Sequence, residues 1–159
     1  MIDFEALLGE LTRANVEFII VGGAAATAHG AARLTQDLDV VYAHSDENAS
    51  RLEHALAAHR PYLRGAPEGL PFVWDVATIR RGLNFTLTTD LGDVDFLGEI
   101  AGGGRYENLL PHSVTIEVFG VDCHVLGLRK LIEVKRAAGR PKDLEAIAEL
   151  ELLLEEADE

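Results

Sequence analysis

The chain has 159 residues, of which 48% are hydrophobic and 26% are charged, and its formal net charge is −13. This length and composition predict one globular domain with a hydrophobic core. The negative charge argues against a general DNA- or RNA-binding surface, which needs a basic footprint, although an RNA end could still enter one local basic groove.

The chain also lacks the usual signals for export or for membranes. No apolar run reaches the length of a membrane span, and the N-terminal residues lack the basic-then-apolar order of a signal peptide. We therefore expect a cytoplasmic protein that does not bind membranes. The single cysteine, Cys123, excludes an internal disulfide and a cysteine-based zinc cluster.

The first predicted elements are a helix, a buried strand and a glycine turn. Hydrophobic residues at helical spacing predict an amphipathic helix over residues 3–14. A β-branched and aromatic run predicts a strand over residues 16–20, which leads to Gly22 and Gly23 and then to an alanine-rich helix. A helix that begins directly after a strand presents free backbone N–H groups to an anion. The two glycines are therefore candidate phosphate ligands, and a tight packing turn is the alternative.

The second predicted strand carries two aspartates on one face. Alternate residues of a strand share a face, so Asp37 and Asp39 point one way while Leu38 and Val40 point into the core. Two carboxylates on one face repel each other unless a cation lies between them. Hard oxygen ligands suit Mg²⁺, with phosphate oxygens completing its shell. We predict a Mg²⁺ site here; an edge strand with one solvated face is the alternative.

The rest of the chain predicts a mixed α/β architecture. A capped helix is predicted to about residue 59, and residues 60–76, rich in proline and glycine, are predicted to form a loop. Two hairpins are predicted over residues 84–97 and 114–126, and two helices over about 128–156. This order predicts an α/β fold with a mixed sheet of about five strands, flanking helices and a C-terminal helical pair in a single domain, whose core ends near residue 127.

A third aspartate and several basic residues complete the candidate site. Asp93 and Asp95 share one face of their predicted strand, and alternation alone does not choose between them. Of the two, Asp95 lies deeper in the strand, and Asp93 is next to the turn. The candidate ligands of phosphate groups are the approach-loop residues Arg33 and Thr35 and the basic group Lys135, Arg140 and Lys142. For Lys135, stabilisation of the helix end by its positive charge is the alternative.

These residues resemble the nucleotidyltransferase superfamily. Its signature is a hydrophobic residue, Gly-Gly or Gly-Ser, a spacer, and then Asp-hydrophobic-Asp-hydrophobic. Here the segments are Val21-Gly22-Gly23, a spacer of thirteen residues, and Asp37-Leu38-Asp39-Val40. The resemblance implies the nucleotidyltransferase (polymerase beta-like) fold and a third carboxylate on a neighbouring strand, for which we select Asp95. The segment from Lys135 to Leu144 is similar to the minimal nucleotidyltransferases related to AbiEii-type toxins of bacterial toxin–antitoxin systems.

The resemblance implies an enzyme that moves a nucleoside monophosphate from an NTP to an acceptor hydroxyl and releases pyrophosphate. The acceptor would be a tRNA end, a protein side chain or a small molecule, and a toxin or antitoxin protein would be a partner. The alternative is a non-catalytic antitoxin or interaction module with the same fold. The implied catalytic residues and Mg²⁺ ligands are Asp37, Asp39 and Asp95, and the implied nucleotide ligands are Gly22, Gly23, Arg33, Thr35, Lys135 and Lys142.

Overall fold

The computed structural model describes residues 2–32, 35 and 37–158. Its strands are β1 (Phe18–Val21), β2 (Asp37–Tyr42), β3 (Tyr62–Leu63), β4 (Phe85–Thr89), β5 (Gly92–Leu97), β6 (Glu99–Ile100), β7 (Gly104–Arg105), β8 (Ser113–Val118) and β9 (Val121–Leu126). Its α-helices are α1 (Phe4–Arg13), α2 (Gly22–Ala28), α3 (Asp46–Leu56), α4 (Val76–Arg81), α5 (Tyr106–Leu109), α6 (Leu128–Ala138) and α7 (Pro141–Asp158).

The strands form a mixed sheet in the order β3-β4-β5-β2-β1-β9-β8, and β6 pairs with β7 separately. Strand β2 runs antiparallel to β1 and parallel to β5, and β1 runs parallel to β9. Both predicted hairpins are present, as the antiparallel pairs β4–β5 and β8–β9. The predicted α/β fold class is confirmed, with seven strands in the described part of the main sheet instead of about five.

Strand β2 separates the hydrophobic core from a polar face. Leu38 and Val40 are fully buried, as the alternation of the sequence predicts. Asp37 and Asp39, the alternate residues, are only partly buried. The sheet therefore holds its aspartates in place through the burial of the hydrophobic neighbours on the other face.

Residues 60–76 are not entirely the loop that their proline and glycine content predicts. Tyr62 and Leu63 form the short edge strand β3, which pairs with Thr88 and Leu87 of β4, and helix α4 begins at Val76. Two residues are too few to show the alternation that predicts a strand, and this strand forms only because it pairs with β4. The pairing matters because it brings the next residue, number 64, to the polar face of the sheet.

The C-terminal helices α6 and α7 pack against each other next to the polar face. Helix α6 ends at Gly139, whose φ of 66° is left-handed, and α7 begins at Pro141. Their buried residues are Leu131, Ile132, Ile147 and Leu150. None of the helices in the described ranges has the length and hydrophobicity needed to span a bilayer.

Candidate active site

The strand register places four carboxylates side by side on one face of the sheet. Because β2 and β5 are parallel neighbours, Asp37 lies beside Asp93 and Asp39 lies beside Asp95. The side chain of Asp95 is 24% exposed and that of Asp93 is 39% exposed, so Asp95 is the more enclosed of the two. The register thus brings Asp95, the residue selected from the sequence, next to Asp39.

Asp39 is the most strongly perturbed carboxyl group of this cluster. Its Oδ1 is buried, and no hydrogen bond reaches it from the residues that the structure describes. Burial, the charge of Asp95, hydrogen bonding with Asp95 and the charge of Asp37 together raise the pKa of Asp39 to about 7, although the Arg64 guanidinium opposes the shift. An unpaired buried carboxylate is costly, so this oxygen is suited to a cation supplied from outside the chain.

The two glycines adjoin the aspartates as the sequence predicts. Gly22 has φ of 64°, and a Cβ built there would overlap Oδ2 of Asp39, so both backbone conformation and space require glycine. A Cβ at Gly23 would lie 3.0 Å from Oγ1 of Thr35. The residue preceding helix α2, Val21, makes no side-chain capping hydrogen bond, so the first N–H groups of the helix keep their capacity to bind an anion.

Cations at the junction of α6 and α7 line a cavity together with Asp37 and Asp39. Asp143, 2% exposed, accepts hydrogen bonds from Arg140 Nε at 2.6 Å and Nη2 at 3.1 Å, and Lys135 Nζ lies 3.8 Å from its Oδ1. Burial would raise the pKa of Asp143, but the hydrogen bonds and charges of Arg140 and Lys135 outweigh it and hold the pKa below its ordinary value. Burial lowers the pKa of Lys135, and the charge of Asp143 partly opposes that shift. Asp143 therefore positions both cations.

Most of the candidate residues share one cavity of about 260 Å³. Asp95 does not line this cavity but lies beside Asp39 in the sheet. Arg33 lies outside the described residues. The predicted residues that line the cavity are Gly22, Gly23, Thr35, Asp37, Asp39, Lys135, Arg140 and Lys142.

Arg64 belongs to this cluster and was not predicted from the sequence. Its Nη2 lies 2.8 Å from Oδ1 of Asp95, its Nε 3.3 Å from Oδ2 of Asp93, and its Nη1 4.0 Å from Oδ2 of Asp37. In the sequence it is an arginine within a segment rich in glycine and proline, and no local pattern distinguishes it from Arg60. Only its position at the end of edge strand β3 brings it to the carboxylates.

Comparison with known proteins identifies the fold. No family model and no curated protein sequence matches the chain. The structure is similar to the crystal structure of a putative nucleotidyltransferase (TM1012) from Thermotoga maritima, with a TM-score of 0.57 and 17% identity over 94% of each chain. The chain has a nucleotidyltransferase fold. The narrower resemblance to the AbiEii-type branch stays a prediction.

The donor set of this nucleotidyltransferase-fold site fits a divalent cation that also binds a phosphate ligand. Within residues 2–32, 35 and 37–158, no three histidine, cysteine or acidic side chains converge closely enough to hold a metal ion by themselves. Asp37 and Asp39 nevertheless offer carboxylate oxygens on the cavity, and Oδ1 of Asp39 has no partner there. These are the hard ligands that Mg²⁺ prefers, and nucleotide phosphates commonly supply the rest of its shell.

Proposed function

We propose that the protein is a Mg²⁺-dependent nucleotidyltransferase, which moves a nucleoside monophosphate from an NTP to an acceptor hydroxyl. The observation that supports this proposal is that one cavity is lined by both carboxylates and cations, namely Asp37, Asp39, Lys135 and Lys142. A triphosphate carrying a divalent cation is the kind of ligand that pairs with both charges at once.

The chain would hold the triphosphate through backbone and side-chain donors. The N–H groups at Gly22 and Gly23 and the ammonium of Lys135 would bind the β- and γ-phosphates. Thr35, which packs on Gly23, and Lys142, which lines the cavity, would complete the contacts. Asp143 would hold Lys135 in place, so the lysine side chain would not have to be ordered when the nucleotide binds.

Asp37 and Asp39 would hold Mg²⁺. When bound, the ion would neutralise phosphate charge and polarise the α-phosphate. Binding also requires Asp39 to be ionised, because a protonated carboxyl group does not ligate a metal. Since the pKa of Asp39 is raised to about 7, we expect proton release when the ion binds near neutral pH.

The transfer step would join the acceptor oxygen to the α-phosphorus. The bond from that phosphorus to the oxygen bridging to the β-phosphate breaks, and its electron pair leaves with pyrophosphate. Asp95 would accept the proton of the acceptor hydroxyl, since it lies on β5, next to Asp39 but outside the nucleotide cavity. This position separates the proton acceptor from the residues that hold the nucleotide.

The acceptor and any partner protein are further parts of the proposal. We propose an RNA end, a protein hydroxyl or a small-molecule hydroxyl as acceptor, and a toxin–antitoxin context as the setting. The net charge of −13 favours acceptors that enter locally over those that need a long basic surface. The complete set of carboxylates favours catalysis over the non-catalytic module of the same fold.

Two aspartate variants test the proposal. Calorimetry with each NTP and Mg²⁺ measures binding, and α-labelled NTP added to a cell extract follows transfer to RNA, protein or small molecules. Asp37→Asn should lose binding and transfer together, because it loses a metal ligand. Asp95→Asn should keep most of its Mg²⁺–NTP affinity and lose about 10²–10⁴-fold in transfer rate.

The matched control is Asp122→Asn, an exposed aspartate on β9 outside the cavity. It should bind and transfer like the parent protein. If the parent binds no nucleotide in the presence of Mg²⁺, the proposed function is wrong. If Asp95→Asn transfers label normally while Asp93→Asn does not, the wrong aspartate of β5 has been assigned as proton acceptor.

A further inference from the structure

Arg64 is held next to the carboxylates by hydrogen bonds from both its backbone and its side chain. Its backbone N–H donates to the Thr86 carbonyl at 2.9 Å, and Nη2 donates to the Leu87 carbonyl at 3.0 Å as well as to Asp95. Its side chain is 27% exposed. The pairing of β3 with β4 and these hydrogen bonds fix the guanidinium from both ends, which an arginine on a free surface loop would lack.

The guanidinium lies closer to the carboxylates of β5 than to those of β2. It lies 2.8 Å from Asp95 and 3.3 Å from Asp93, both on β5, but 4.0 Å from Asp37 on β2. Oδ1 of Asp39, also on β2, is buried without a hydrogen-bond partner among the described residues. Among the described residues, the guanidinium therefore lies closest to the β5 carboxylates, whereas it reaches Asp37 of β2 only at 4.0 Å and forms no hydrogen bond with Oδ1 of Asp39.

We infer that Arg64 is the resident cation of the β5 side and takes the place of a second metal ion, so that the protein binds one divalent ion, at Asp37 and Asp39. This inference rests on the proposed function and deepens it, and it removes Asp95, which is paired with Arg64, from the Mg²⁺ ligands that the family resemblance implies. An arginine stays charged at every pH the protein experiences, so the β5 carboxylates are paired whether or not a metal is present. Arg64 is then a positioning residue that holds Asp95 and excludes a second ion by charge and by space.

The number of bound ions tests this inference directly. The full chain, with a non-hydrolysable NTP analogue, is titrated with Mn²⁺, and the free ion is measured by electron paramagnetic resonance. The parent protein should bind one Mn²⁺ per chain. Arg64→Gln removes the charge and keeps much of the side-chain volume, and it should bind two. The double variant Arg64→Gln with Asp95→Asn should return to one, because the second ion loses a ligand.

Two controls separate exclusion of the ion from a general effect on the fold. Arg51→Gln removes a surface arginine that pairs with Glu17 at 3.3 Å, and it should bind one ion. Asp95→Asn alone should also bind one ion, because Asp95 is already paired with Arg64 and is not among the ligands of that ion. This variant tests the inference even if Arg64→Gln does not fold.

Three other outcomes would overturn the inference. Two ions bound to the parent, one ion bound to folded Arg64→Gln, or a lost ion in Asp95→Asn would each show that Arg64 does not take the place of a metal. All three results would leave the proposed nucleotidyltransferase function standing. If neither the parent nor any variant binds Mn²⁺ with the nucleotide analogue, the proposed function itself is wrong, and the inference fails with it.

Discussion

Replacing Asp39 with asparagine should stabilise the metal-free protein, and more so as the pH rises. In the folded chain the pKa of Asp39 is raised from 3.8 to about 7 by burial and by Asp95 and Asp37. In the unfolded chain the carboxyl group ionises near its ordinary value. Between these two pH values the native state therefore keeps a proton that the unfolded state has lost, and the free energy of unfolding falls as pH rises.

The magnitude follows from the width of that window. Three pH units at about 1.4 kcal/mol each give a penalty on the order of 4 kcal/mol, which is absent below pH 3.8 and complete above about pH 7. Roughly 1.5 kcal/mol of it is already present at pH 5. The asparagine variant does not titrate, so its advantage over the parent protein should grow by about 2.5 kcal/mol from pH 5 to pH 8.

Urea unfolding of both proteins in EDTA at pH 5 and pH 8 measures this difference. Comparison of the two proteins at each pH cancels the titration of the carboxyl groups that do not interact with Asp39. Asp122→Asn serves as control, and its difference from the parent should not change with pH. Adding Mg²⁺ with NTP at pH 8 should stabilise the parent and leave Asp39→Asn unchanged. If the free energies of unfolding of Asp39→Asn and the parent differ by the same amount at both pH values, Asp39 is not the carboxyl group with the raised pKa.

Two further variants test the phosphate side of the cavity. Lys135→Ala should weaken Mg²⁺–NTP binding by about 1.5–3 kcal/mol in calorimetry, because a charged donor to phosphate is lost. The control is Lys130→Ala, on the same helix but outside the cavity, which should bind normally. If both variants lose the same amount of binding free energy, Lys135 only stabilises the helix. Gly22→Ala should abolish metal-dependent binding, because its Cβ would displace the Asp39 carboxylate. The control is Gly120→Ala, at a φ of 82° with nothing within 4 Å of the added Cβ, which should cost only about 1–2 kcal/mol of stability. Normal Mg²⁺–NTP binding by Gly22→Ala would contradict the close packing of Gly22 on Asp39.

Local pattern in the sequence was enough for the parts of the site that lie within one element. The alternation in β2 predicted that Asp37 and Asp39 share a polar face over a buried one, and the structure buries Leu38 and Val40 completely. The glycine turn between a strand and a helix was also predicted, as were both hairpins. These features depend on side-chain periodicity and backbone preference, which neighbouring residues determine among themselves.

The assembly of the site depended on contacts between residues distant in the chain. The sequence allowed either Asp93 or Asp95 as the third carboxylate, and only the parallel register of β2 and β5 placed Asp95 beside Asp39. The role of Asp143 also depends on such contacts, because the packing of α6 on α7 makes it the buried partner of Lys135. Such pairings depend on which surfaces meet after folding, and no short-range period encodes them.

Arg64 shows most clearly how much of the site depends on contacts between distant parts of the chain. Its segment has the composition of a loop, and its two-residue strand β3 forms only because the edge of β4 is available. That pairing carries the guanidinium to within 2.8 Å of Asp95, across a separation of 31 residues in the chain. Alternation within one strand was enough to predict that Asp37 and Asp39 share a face and to suggest a cation between them. The chain supplies part of that positive charge itself, and this could not be predicted, because a long-range strand pairing places the arginine among the carboxylates.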